Sequence, residues 1–89
     1  MQPAGAADEW ETDPFEPEVR DGWLYARGVA DDKGQLWALL KATEELAAAG
    51  ELPVNVRFVC DGEEETGGHR VVEFIASDEH GADAAVIFD

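Results

Sequence analysis

The sequence predicts an α/β fold whose strands and helices alternate in the order β-α-β-α-β. Three short runs rich in apolar residues are typical of strands, and two longer stretches between them carry apolar residues at every third or fourth position. Glycine and proline residues separate these stretches. Such alternation is typical of right-handed crossovers that place helices on the faces of a sheet. Residues 1–22 lack periodicity and predict a surface loop, so the core is expected within residues 23–89.

The first strand and the first helix are bounded by turn-forming residues. Asp21-Gly22 is a turn signal, and residues 23–27 after it predict a short strand. From about residue 33 to residue 49 the apolar spacing is helical, and Gly50 is well placed to end the helix. One face of this helix carries most of its apolar side chains: Leu36, Leu39, Leu40, Thr43, Leu46 and Ala47.

The second half of the chain repeats the alternation. Residues 54–60 alternate as a strand with one more polar face. Residues 67–77 predict a second amphipathic helix, because their large apolar side chains recur at helical spacing. Residues 84–88 are wholly apolar, which is typical of a strand that is buried on both faces.

Composition excludes several classes of partner. The chain has 89 residues, enough for one small domain, with 6 basic and 21 acidic residues and a net charge of −15. This charge argues against nucleic acid or an anionic membrane as a partner, since both require positive surface. The single cysteine, Cys60, excludes an internal disulfide and favours a reducing, cytoplasmic setting. Residues 1–5 carry neither a basic nor an apolar run, so neither a signal peptide nor a membrane span is expected.

Acidic residues follow each of the three predicted strands. Asp31-Asp32 follows the first strand, Glu63-Glu64-Glu65 follows the second, and Asp89 follows the third. Carboxylates that crowd together repel one another unless a cation compensates their charge, and oxygen ligands suit divalent metals. Because the carboxyl ends of strands are where sites form in open α/β sheets, the pattern predicts a metal site there.

Three segments of the chain resemble motifs of the co-catalytic zinc metallopeptidases. This family includes carnosinase-like dipeptidases, carboxypeptidase G, succinyl-diaminopimelate desuccinylase and aminoacylase. Residues 21–34 resemble its Asp-containing signature, and residues 61–68 resemble its Glu-Glu motif followed by a small residue and glycine. Residues 1–15 look like the loop after its His-x-Asp motif. The resemblance covers essentially the whole chain and is closest to the dipeptidase branch. It implies a three-layer, phosphorylase/hydrolase-like zinc-peptidase fold.

The resemblance also implies roles for single residues. Asp31 is similar to the aspartate that bridges the two metal ions, and Glu65 and Asp89 are similar to terminal metal ligands. Glu64 is similar to the glutamate that acts as general acid and base. The implied cofactors are two divalent ions, zinc above all, with cobalt or manganese as alternatives. The peptide bond after the bridging aspartate is cis in the family, which would place it between Asp31 and Asp32 here.

Other polar residues near these motifs have structural interpretations. Asp32 is expected to cap the helix that begins near residue 33. Glu63 is expected either to be solvated or to lie beside the site without contacting metal or substrate. His69 and His80 do not match histidine ligands of the family, so we interpret His69 as a helix-start residue and His80 as a loop residue. One departure from the family is Gly67-Gly68, where the family has Gly-Ser.

The sequence therefore predicts part of a catalytic domain, over residues 1–89, whose full-length parent cleaves dipeptides or N-acyl amino acids and forms a homodimer. The family's histidine ligands and its lid domain are not matched within residues 1–89, so these residues are expected to be inactive alone. The remaining carboxylates would bind metal weakly, with little preference for zinc over magnesium or calcium. Two alternatives stay open: a non-enzymatic acidic module that binds cations or a partner, and a regulatory domain whose acidic clusters merely keep it soluble.

Overall fold

The computed structural model describes residues 3–88, and these form two compact units. One unit comprises residues 3–56 together with Phe88, and the other comprises residues 57–87. The first unit contains a β-hairpin and the longer helix, and the second contains the shorter helix. The chain is therefore a mixture of strands and helices, as the predicted α/β class requires.

The hairpin pairs strand β1 (Glu18–Arg20) with strand β2 (Trp23–Tyr25) in antiparallel register. Asp21 and Gly22 connect the strands with φ angles of 51° and 81°, the backbone that a two-residue hairpin turn requires. The predicted turn and the strand after it are confirmed. Strand β1 lies within residues 1–22, which were predicted to form a surface loop. The strand was not predicted because three residues are too few to show a periodicity.

Helix α1 (Gly34–Ala48) matches the first predicted helix closely. The helix ends at Gly50, as predicted, and Gly50 has a positive φ of 70°. The Gly50 N–H donates to the Ala47 carbonyl at 3.1 Å, and the Glu51 N–H donates to the Leu46 carbonyl at 2.9 Å. This pair of hydrogen bonds is a Schellman motif, which satisfies carbonyls that the helix end leaves without partners.

The start of α1 differs from the expectation. The N-cap position belongs to Lys33, and no side chain donates or accepts a capping hydrogen bond there. The predicted capping by Asp32 is therefore not observed. The reason is the backbone: within the turn Val29–Lys33, Asp31 and Asp32 have φ angles of −142° and −133°, outside the helical region, so the helix starts only after them.

Helix α2 (Arg70–Ser77) lies within the second predicted helix, but it begins three residues later than predicted. His69 occupies its N-cap position, so the interpretation of His69 as a helix-start residue is confirmed. The two glycines before His69 explain the late start, because glycine is a poor helix former and Gly67 has φ 67°, outside the helical region. Asp78 is the C-cap residue of α2.

The order β-α-β-α-β is not confirmed. The structure describes no strand within residues 54–60 or 84–88, although both segments were predicted to be strands. A strand exists only where a second backbone accepts and donates its hydrogen bonds, and no such partner is described for these segments. Their apolar side chains are exposed, with Val54 61% and Ile87 91% accessible.

None of the described residues 3–88 is fully buried. The apolar face of α1 is at best half-buried, and Trp37 on that helix is 65% exposed. Burial of apolar surface is the main force that stabilises folded domains, so the described residues gain little stability from a core of their own. In the described part of the chain, helices are too short or too polar to cross a membrane.

Candidate functional site

The first acidic turn, residues 28–34, joins the hairpin to helix α1. Gly28 begins it with φ 77°, and the Lys33 N–H closes it by donating to the Gly28 carbonyl at 2.9 Å. The peptide bond between Asp31 and Asp32 is cis, as the family resemblance implies. Both aspartate side chains are exposed. The turn therefore presents two adjacent carboxylates immediately before a long helix.

The side chains of Lys33 and Gln35, which come just after the two aspartates, stabilise the first acidic turn. The Lys33 ammonium donates to the Arg27 carbonyl at 3.0 Å, and the Gln35 amide donates to the Ala30 carbonyl at 2.6 Å. The Lys33 ammonium also lies close to Gly28, where a Cβ atom would come within 2.6 Å of it. Lys33 therefore stabilises the backbone on the N-terminal side of the aspartates, as well as placing a positive charge within the acidic cluster.

A small cavity of about 170 Å³ lies beside the first acidic turn. Residues 26–31 and the half-buried Trp10 line it. The Trp10 indole N–H donates to the Ala4 carbonyl at 2.7 Å, which fixes the ring against the loop that precedes the hairpin. The cavity is too small for a dipeptide, since small-molecule sites typically enclose about 300 Å³ or more.

The second acidic turn, residues 61–68, belongs to the other unit. It contains a single 3-10 turn, Glu64–Thr66. The Glu63 carbonyl organises it by accepting three hydrogen bonds, from the Thr66 N–H at 3.0 Å, the Thr66 hydroxyl at 2.9 Å and the Gly68 N–H at 3.1 Å. Glu64 and Glu65 are exposed on this turn, while Glu63 is half-buried. The three consecutive glutamates thus occupy different environments.

Asp61 shapes the entry to the second acidic turn. Its carboxylate accepts a hydrogen bond from the Glu63 N–H at 2.9 Å, so one carboxylate fixes the backbone from which the next three extend. No role for Asp61 was predicted from the sequence. The local signal was present, because Asp followed by Gly is a common start of such a turn.

A groove of about 560 Å³ lies between the extended residues 58–63 and helix α2. Its walls are largely apolar and include Phe58, Val71 and Phe74, while Arg70 and Glu63 supply charged groups. The second acidic turn continues directly from one of these walls, so the groove ends beside Glu63.

An ion pair in this second unit joins Arg57, at its start, to Asp78, at the end of helix α2. The Arg57 guanidinium donates to both oxygens of the Asp78 carboxylate, at 3.0 Å through Nη1 and at shorter range through Nη2. This hydrogen bonding lowers the pKa of Asp78 to about 2 from its ordinary 3.8, and it raises the pKa of Arg57. The pair was not predicted from the sequence, because its members lie 21 residues apart and fit no motif.

The residues predicted to bind metal divide between the two units. Asp31 belongs to the first unit, and Glu65 belongs to the second together with Glu64. Asp89, the third predicted ligand, lies outside the described residues. Across residues 3–88, histidine, cysteine, aspartate and glutamate side chains do not gather in threes at a spacing that could hold a metal ion. The predicted convergence of Asp31, Glu65 and Asp89 therefore stays a prediction.

The comparisons with known proteins agree on one family. Residues 1–89 match the peptidase family M20/M25/M40 along their whole length. The human protein named Beta-Ala-His dipeptidase is 37% identical over 94 aligned positions that include the entire chain. The rat protein of the same name is 38% identical over the entire chain, and the mouse protein is 40% identical over 84% of it. No solved structure matches the chain significantly.

The chain covers only part of these relatives, 18% of the human protein, 19% of the rat protein and 15% of the mouse protein. A match over the complete chain nevertheless fixes its family, and it confirms the resemblance to metallopeptidases of the dipeptidase branch. The chain belongs to the peptidase family M20/M25/M40.

Proposed function

We propose that this chain is part of a longer metallohydrolase, which uses water to cleave the amide bond of dipeptides or N-acyl amino acids. The observation that carries the proposal is the family match over all 89 residues, both acidic turns included. The similar human and rat proteins are named as dipeptidases, which favours a small peptide substrate. Beta-Ala-His is therefore the first dipeptide to assay.

The donor chemistry of the chain fits divalent metal ions. Asp31 and Glu65 offer carboxylate oxygens on exposed turns, and Asp89 is the further ligand that we propose. Carboxylates bind zinc, cobalt and manganese, and we propose two such ions with zinc as the native metal. When bound as a pair, zinc ions polarise the substrate carbonyl and lower the pKa of the attacking water.

Glu64 is the residue that we propose to move the proton. Its carboxylate would accept a proton from the attacking water and would later donate that proton to the nitrogen of the leaving amine. The 3-10 turn favours this separation of roles, because neighbouring residues on a tight turn direct their side chains differently. Glu65 would then bind metal while Glu64 stays available for the proton.

Residues 1–89 alone are expected not to turn over substrate. Their proposed metal ligands are all carboxylates, whereas catalytic zinc sites in peptidases usually include histidine. We also propose that residues 54–60 and 84–88 become strands of the three-layer fold when the rest of a parent protein supplies neighbouring strands. We propose that this parent protein is a homodimer and that it is located in the cytoplasm.

The proposal is tested with substitutions of Glu64 and Asp31 in the parent protein. We expect Glu64→Gln to lower kcat by at least about a hundredfold, the scale of general acid–base catalysis, while zinc affinity stays within about threefold. Asp31→Ala should lose both activity and zinc. Calorimetry with zinc and a dipeptide hydrolysis assay measure these two quantities on each variant.

Glu63→Gln is the matched control, because it removes the neighbouring carboxylate from the same turn. We expect it to retain activity within about tenfold of the unchanged protein, as for a residue that contacts neither substrate nor metal. Near-normal hydrolysis by Glu64→Gln would refute the assignment of Glu64. If millimolar zinc binds to neither the parent nor the variants, a non-enzymatic acidic domain is the correct interpretation.

A further inference from the structure

The ion pair between Arg57 and Asp78 encloses the entire second acidic turn. Arg57 lies before the extended segment that leads into the turn, and Asp78 is the C-cap residue of helix α2, which leaves it. Glu64 and Glu65 lie between the two ends. The Arg57 guanidinium also donates to the Gly81 carbonyl at 3.4 Å and lies 6.0 Å from the centre of the Phe74 ring.

This arrangement is more constrained than an ordinary surface ion pair. A guanidinium that donates two parallel hydrogen bonds to one carboxylate fixes orientation as well as distance. The Asp78 side chain is only 12% exposed, against 43% for Arg57. Asp78 also accepts a hydrogen bond from the His80 N–H at 3.2 Å, so its carboxylate is held from two sides.

Burial of apolar side chains contributes little to fixing the turn. None of its described residues is fully buried, and the groove between residues 58–63 and helix α2 leaves the apolar side chains of Phe58 and Phe74 partly exposed. Closing a long segment at its ends reduces the number of conformations available to everything inside it. The ion pair therefore restricts the backbone that carries both glutamates.

We propose that Arg57 and Asp78 are positioning residues for Glu64 and Glu65. Their ion pair holds the start of the extended segment against the end of helix α2, and thereby sets the conformation of the second acidic turn. The inference rests on the proposed function for the roles of the two glutamates. Its structural part, the coupling of a remote ion pair to the turn, does not require any activity.

The test uses amide hydrogen exchange and zinc calorimetry on the full chain. We expect Asp78→Asn to speed exchange of the Thr66, Gly67 and Gly68 amides about three- to fivefold, while the amides of helix α1 do not change. Arg57→Lys keeps the charge but loses the two-pronged geometry, and it should show the same effect in part. The exchanged pair, Arg57→Asp with Asp78→Arg, should restore at least half of the lost protection.

Glu11→Gln is the matched control, because it breaks the ion pair with Arg20 in the other unit and should leave the second acidic turn unchanged. The inference is overturned if Asp78→Asn leaves exchange in the turn unaltered, if it speeds exchange equally in α1, or if Glu11→Gln has the same effect. Zinc affinity tests whether the ion pair positions Glu65 for metal binding. Asp78→Asn should weaken zinc affinity about threefold, and the exchanged pair should restore it.

A failure of the proposed function has a different signature. If the proposed function is wrong, Glu65→Gln leaves zinc affinity unchanged, whether or not Asp78→Asn speeds amide exchange in the second acidic turn. If Glu65→Gln abolishes zinc binding while Asp78→Asn changes neither exchange nor affinity, the proposed ligand survives and the positioning role is wrong.

Discussion

Gly68 lies directly against the side chain of Glu63, and the Gly68 N–H donates to the Glu63 carbonyl at 3.1 Å. A Cβ atom at position 68 would overlap both the Cβ atom and the carboxylate of Glu63. Glycine at position 68 is therefore what allows the Glu63 side chain to adopt this conformation.

Gly68→Ala should open the second acidic turn. Because the overlap includes the Glu63 Cβ atom, rotation of the glutamate side chain cannot relieve it, and the backbone hydrogen bond from residue 68 to Glu63 should break. Loss of one such bond costs about 1 kcal/mol, which is roughly a fivefold faster exchange of the amide at position 68. Amide hydrogen exchange by NMR measures this change.

The double variant Gly68→Ala with Glu63→Gly removes the overlapping atoms and should restore slow exchange. Gly67→Ala is the comparison, since position 67 has open space around it and only its positive φ of 67° opposes a side chain. Unchanged exchange in the turn of the Gly68→Ala variant would show that the contact is not a tight one.

Asp78 should titrate well below the ordinary pKa of an aspartate side chain. The hydrogen bonds from Arg57 hold its pKa at about 2 in the folded chain, against an ordinary 3.8. At pH values between these two the unfolded chain binds the proton and the folded chain does not, so the stabilisation is complete above about pH 4 and is lost as the pH falls towards 2. Carbon-detected NMR of the Asp78 carboxyl group measures the pKa directly. In Arg57→Gln the pKa should return towards 3.8, and a value near 2 in that variant would contradict the stated cause.

Gly28→Ala should destabilise the first acidic turn by about 1–2 kcal/mol, the usual cost of a left-handed backbone for a residue with a side chain. A further cost arises because the new Cβ atom would lie 2.6 Å from the Lys33 ammonium and would displace it from the Arg27 carbonyl. Chemical denaturation followed by circular dichroism measures the change.

Gly50→Ala is the control that separates the two costs of Gly28→Ala, the left-handed backbone and the displacement of Lys33. Gly50 has a similar φ of 70° but open space around it, so alanine there meets the backbone cost alone. Gly28→Ala should be the more destabilising of the two, and Lys33→Met in the Gly28→Ala background should reduce the difference. Equal effects at positions 28 and 50 would mean that Lys33 moves aside freely.

The parts of the fold that depend on local sequence could be predicted. The Asp21-Gly22 turn, helix α1, its end at Gly50 and the N-cap position of His69 follow from residues within a few positions of one another. The strands at residues 54–60 and 84–88 could not be confirmed, because a strand depends on a partner backbone that is often distant in sequence. The alternation of apolar residues indicates which segments are able to pair, but does not supply the partner.

The same distinction holds for the candidate site. The acidic turns were found from their composition, and the cis peptide bond between Asp31 and Asp32 followed from the family resemblance. Their supporting contacts were not predicted, because the hydrogen bond from Lys33 to the Arg27 carbonyl and the ion pair of Arg57 depend on how the backbone folds back. Whether Asp31, Glu65 and Asp89 share metal ions depends on contacts between residues that are even further apart in the sequence.

Residues 54–60 form no strand in the described structure, and their apolar side chains are exposed. In the 89-residue chain, we expect the amides of Val56 and Phe58 to exchange nearly as fast as in an unfolded peptide, since no described backbone group accepts from them. In a longer parent protein these amides should exchange at least about a hundredfold more slowly, as in a paired strand. The amides of helix α1 are the internal control, because their hydrogen-bond partners lie within the helix itself. Equal exchange of Val56 and Phe58 in both proteins would mean that this segment does not become a strand and that the three-layer order is wrong.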